Sequence, residues 1–87
     1  MYQLSSSFAA TIRLTNGERL TIQISNDHPT VGQVQQAIAQ QNAILYPVEG
    51  QKLIYKGRIL SEPARTLSDY GIPTHATLFL VMSSSSG

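Results

Sequence analysis

One stretch of this chain, residues 31–41, sets its apolar residues at helical spacing, and that single stripe limits what the rest can build. Val31, Val34 and Ile38, with Ala37 beside them, fall on one side of a helix; Gln35, Gln36, Gln40 and Gln41 fall on the other. The remaining apolar runs alternate with a period of two, as half-buried strands do. One amphipathic helix covers one face of a sheet, so the other face is expected to lie open. Thr30 reads as the helix N-cap, with Gln33 three residues on completing a capping box. Gly32 costs some helix propensity. The helix is expected to fade over residues 42–45, and Tyr46-Pro47 turns the chain, because the residue before proline disfavours helix.

Phe8, Ala10, Ile12 and Leu14 alternate with Ala9, Thr11 and Arg13, and Leu20, Ile22 and Ile24 alternate with Arg19, Thr21 and Gln23. Asn16-Gly17 between them marks a hairpin. A two-residue loop would put the two apolar sets on opposite faces. A three-residue loop, Thr15-Asn16-Gly17, pairs Leu14 with Glu18 and Ile12 with Leu20, keeping Ile12, Leu20, Ile22 and Ile24 together, with Gly17 in the left-handed bulge position.

Residues 51–55 alternate again. Leu53 and Tyr55 point one way, Lys52, Ile54 and Lys56 the other, leaving Ile54 as an apolar residue in water among cations. A turn at Lys56-Gly57, a short strand over 58–60, a loop over 61–65, a helical turn over 66–72 and a last strand over 77–82 follow. In that strand Leu78 and Leu80 point inward, Phe79 and Val81 outward. The expected fold is an α+β roll of the β-grasp kind: a mixed sheet of four to five strands with one main helix on one face. The domain spans 8–82, with serine-rich tails at 1–7 and 83–87.

Eighty-seven residues suit one small domain with a single core. A net charge of +1 argues against bulk attraction to nucleic acid or membrane. The absence of cysteine removes disulfide and thiolate chemistry and fits a reducing compartment, so a cytoplasmic or nuclear setting is expected. No apolar run approaches the roughly 20 residues that span a bilayer, and residues 1–10 lack the pattern of a signal peptide. His28 and His75 sit in separate loops without a partner at ligand spacing, so no metal and no cofactor are expected. Ser68-Asp69 does not make a triad with His75, no phosphate loop is present, and basic residues are too few for a nucleic-acid site. The chain is not expected to be an enzyme.

Gln51-Lys-Leu-Ile-Tyr-Lys-Gly-Arg-Ile-Leu60, Arg65-Thr-Leu-Ser-Asp-Tyr70 with Ile72, and Thr77-Leu-Phe-Leu-Val81 together resemble ubiquitin-like domains over nearly the whole body of the chain. Tyr46-Pro-Val-Glu-Gly-Gln-Lys-Leu-Ile-Tyr55 is similar to the corresponding loop and strand in the proteasome-binding shuttle receptors of radiation repair, and the spacing from Thr30 to Gln51 matches that subgroup. In that family a Leu-Ile-His-Val patch on the open sheet face receives most partners. By resemblance its positions fall on Thr15, Ile54, Phe79 and Val81. Phe79 in place of the histidine removes a titratable imidazole and the pH sensitivity it would bring. Three contiguous apolar side chains bury about 200–300 Å², worth several kcal/mol before association costs and suited to a micromolar contact.

Lys52, Lys56 and Arg58 are expected at the rim of this patch. A short amphipathic helix with flanking carboxylates would suit such a surface. The resemblance thus implies a non-conjugated module, monomeric, whose partners are ubiquitin-interacting-motif helices, ubiquitin-associated domains or proteasome subunits. Two alternatives stand beside it: a modifier conjugated through Gly87, and a domain that docks on its own parent chain. The Ser83–Ser86 run lacks the charged and apolar handles of a conjugated tail. Arg58 occupies the position of the family's main chain-linking lysine, and a guanidinium cannot serve as that nucleophile.

Overall fold

A computed structural model describes residues 7–26 and 28–82. The elements are β1 (Phe8–Leu14), β2 (Arg19–Ile24), α1 (Val31–Gln41), β3 (Gln51–Tyr55), β4 (Arg58–Ile59) and β5 (Ala76–Met82), with short 3₁₀ turns at Val48–Gly50 and Ser68–Tyr70. The strands form one mixed sheet in the order β2-β1-β5-β3-β4; β1 and β5 run parallel and the other neighbours antiparallel. The expected β-grasp architecture, five strands and one covering helix, is therefore the one found. The tails expected at residues 1–7 and 83–87 lie, apart from Ser7, outside the described residues, as does Gly87.

The hairpin register is the one that loop length dictates. Ile12 faces Leu20 and Ala10 faces Ile22. The Leu14 N–H donates to the Glu18 carbonyl at 2.8 Å, and Gly17 sits at φ 91°, a conformation that glycine adopts without a Cβ penalty. The inner face of the sheet gives Phe8, Ala10, Ile12, Ile22, Leu53, Leu78 and Leu80 to the core, and α1 closes over them with Val31, Val34 and Ile38. Leu60, Leu67 and Ile72 from the loops complete it.

The first turn of α1 has its backbone donors satisfied from two sources. Thr30 Oγ1 accepts from Gln33 N–H at 3.1 Å while Gln33 Oε1 accepts from Thr30 N–H at 2.9 Å, the expected capping box. Val31 N–H donates to the Arg65 carbonyl at 2.9 Å and Gly32 N–H to that of Pro63 at 3.0 Å. The 63–67 segment thus straps the helix start to the body and fills the orphan sites that any helix N-terminus presents. The strap also leaves little room beside Gly32: a Cβ there would stand 3.2 Å from the Pro63 carbonyl oxygen, a tight contact.

Midway along α1, the buried Gln51 side chain donates to the Gln35 carbonyl at 2.9 Å and, past the helix, to that of Tyr46 at 3.0 Å. One amide thereby ties helix, connection and β3 together. Replacing it with a near-isosteric apolar residue, Gln51→Leu, removes two such bonds without opening a large cavity. The expected cost is about 2 kcal/mol, at roughly 1 kcal/mol per bond, read as a lower urea midpoint with an unchanged slope.

Candidate functional site

The open face of the sheet follows from the inner one, because side chains alternate. Its centre is a row of residues that crosses all five strands. Arg19 on β2 faces Arg13 on β1, which faces Phe79 on β5, which faces Ile54 on β3, which faces Ile59 on β4. The row reads cation, cation, aromatic, aliphatic, aliphatic. Phe79 and Ile59 are 47% and 49% exposed. Val81 lies one step along β5, opposite Lys52 on β3. Thr15 is exposed in the hairpin turn, one residue past the Leu14–Leu80 pair that ends the β1–β5 ladder.

Of the residues expected at the site, Ile54, Phe79, Val81 and Lys52 are brought together, and Thr15 borders them. Ile54 departs from its description as an apolar residue in water. It is half-buried, because Phe79 and Ile59 stand on either side of it. Ile59 is the member that reading missed. The signal was present in Ile59-Leu60: Leu60 is buried, so its neighbour in an extended chain must face out.

Two of the three expected rim cations lie elsewhere. Lys56 and Gly57, at φ 51° and 79°, form the two-residue turn that joins β3 to β4. A loop of that length pairs Tyr55 with Arg58, so Arg58 emerges on the Tyr55 side of the sheet, away from Ile54. Its guanidinium stands 5.8 Å from the Tyr70 ring centre, beside Glu62, Arg65 and Asp69. Lys56 likewise leans over Tyr55, its ammonium 5.5 Å from the ring centre. The cations that do border the apolar row are Lys52 and two that the sequence reading passed over, Arg13 and Arg19. Arg13 stands 5.6 Å from the Phe79 ring centre, within cation–π range.

The loop residues set aside as catalytic or structural are also placed. His28 Nδ1 is 3.3 Å from Ser68 Oγ, joining the pre-helix loop to the 68–70 turn; His75, at φ 66°, donates its N–H to the Ala9 carbonyl. In the 66–70 turn the Thr66 hydroxyl accepts from Asp69 N–H at 3.1 Å. Among the described residues no three of His, Cys, Asp and Glu gather as a metal site, and no helix is long and apolar enough to cross a membrane.

The ubiquitin family model matches residues 11–85. The chain is 37% identical over 76 residues to the ubiquitin domain-containing protein DSK2b of Arabidopsis thaliana, and 37% identical over 73 residues to DSK2a of the same plant. These alignments cover 87% and 84% of this chain but 13% of each relative, so the chain spans a small fraction of their length. In three dimensions it is similar to a ubiquitin-like domain of another Arabidopsis thaliana protein, solved by NMR, with a TM-score of 0.81 and 19% identity over 99% of this chain and 87% of that one.

The geometry separates residues that hold the fold from those that only cover its open face. Phe79→Ser, at a half-exposed position, is expected to cost about 1–2 kcal/mol, whereas Leu80→Ala, next in sequence and 1% exposed, costs about 2–5 kcal/mol in chemical denaturation.

Proposed function

The chain belongs to the ubiquitin family, and we propose that it serves there as a non-conjugated protein-interaction module that binds ubiquitin receptors, proteasomal ones in particular, through its open sheet face. The observation that carries this reading is the unbroken apolar row Phe79–Ile54–Ile59 at the surface, with Val81 beside it and cations at its borders. Single exposed apolar residues are ordinary; a contiguous set on a face that no helix among the described residues covers supports a docking role. Its similarity to ubiquitin domains of the DSK2 proteins supports the same reading.

The partners proposed are ubiquitin-interacting-motif helices, ubiquitin-associated domains and proteasome subunits, met by a monomeric domain in the cytosol or nucleus. Burial of four apolar side chains gives several kcal/mol at about 25 cal/mol per Å², most of it offset by the cost of association. The result is a contact in the micromolar range that exchanges readily. No step of bond making is involved; the module acts by recognition.

In a titration against a ubiquitin-interacting-motif helix, Ile54→Ala is expected to weaken binding about tenfold or more, since Ile54 sits at the centre of the row. Arg58→Gln, on the other side of the sheet, should leave the affinity within about twofold. An Ile54→Ala protein that binds as tightly as the parent would falsify the reading. A second assay separates this role from tagging: incubation with ATP and a ubiquitin-type activating enzyme should yield no thioester. A thioester that disappears on removing Gly87 would establish a conjugated modifier instead.

A further inference from the structure

The five strands carry Arg13, Arg19, Lys52 and Arg58, four of the chain's six cations, and none of its five carboxylates. With Arg58 turned to the other side, the strand residues of the open face include three cations and no acid. They are not spread evenly. Arg13 and Arg19 stand directly opposite one another on β1 and β2, at one end of the transverse row. Like charges so placed repel, and among the described residues no carboxylate on that face of the sheet pairs with them. Arg13 is also drawn over the Phe79 ring, so the charged end and the apolar end of the row are physically continuous.

We infer that Arg13 and Arg19 form an anion-receiving clamp that orients the docked helix across the strands and selects helices with carboxylates in one terminal turn. This inference rests on the open face being the docking surface, and it specifies the partner's charge pattern and direction. Strands lie about 4.8 Å apart, so β2 is about 10 Å from β5 and about 19 Å from β4. At 1.5 Å per residue a helix of about 13 residues spans the row. Its apolar side chains rest on Phe79, Ile54 and Ile59, and its carboxylates, about six or seven residues from the one over Phe79, reach the two guanidinium groups. An approaching carboxylate relieves the repulsion that the free domain holds, while Lys52 beside Val81 serves the long edge of the helix. The arginines act on partner choice and orientation; the apolar row supplies the contact.

The test uses three synthetic helical peptides of 15 residues or so that share one apolar ridge and carry three Glu, three Gln or three Lys in one terminal turn. Titrated against the unmodified domain, the Glu peptide should bind about five- to twentyfold more tightly than the Gln peptide, a margin that shrinks as salt rises. The Arg13→Gln/Arg19→Gln protein should bind the Gln peptide as before and lose the margin. Arg13→Glu/Arg19→Glu should prefer the Lys peptide. Arg19→Gln alone should not lower the thermal midpoint of the free domain, which separates a recognition role from a structural one. A margin that survives loss of both arginines, or an equal loss for Glu and Gln peptides, would overturn the clamp while leaving the docking face intact. Failure of the unmodified domain to bind any of the three would overturn the docking face and the clamp together.

Discussion

The parallel ladder between β1 and β5 places the two ends of the domain side by side at the middle of the sheet. Ile12 and Leu14 meet Leu78 and Leu80 there, all buried, and β2 and β3 attach on either side. Because a strand's side chains alternate, this register fixes both faces at once. A slip of β5 by one residue against β1 would expose Leu80 and bury Phe79. The core that stabilises the domain therefore also determines which residues line the open face, and the row from Arg19 to Ile59 is a consequence of packing on the far side of the same strands.

The polar parts of the fold serve that arrangement. α1 is held at its start by the 63–67 strap and by Thr30, and at its middle, through the Gln35 carbonyl, by Gln51, so the helix covers one face firmly and leaves the other clear. Rigid presentation matters for a weak contact, because little binding energy is then spent on ordering the surface. A sheet face built on buried Leu53, Leu78 and Leu80 offers such a platform.

Much of this was legible in the sequence, and what was not has a physical reason. Period-two alternation identified inner and outer residues on β1, β2, β3 and β5, and loop length gave the first hairpin its register. The capping box was readable because its two residues stand at fixed spacing. Lys56 was misplaced because alternation was carried one residue past β3 into the turn, and Arg58 because a two-residue turn pairs it with Tyr55 and so sets it on that residue's side. Arg13 and Arg19 went unremarked because their importance arises only when β1 lies beside β5, a contact between distant parts of the chain. The crowding at position 32 was likewise hidden, since the carbonyl that closes on it belongs to Pro63.

The proposed docking face is the open side of the sheet and not the glutamine-rich helix side, where Ile44 and Leu45 are also exposed. Amide chemical-shift mapping of the labelled domain during titration with an acid-flanked amphipathic helix tests this most directly. The account predicts the largest shifts at Arg13, Lys52, Ile54, Ile59, Phe79 and Val81, with α1 nearly silent. Shifts concentrated on residues 36–48, with the sheet face unmoved, would contradict it.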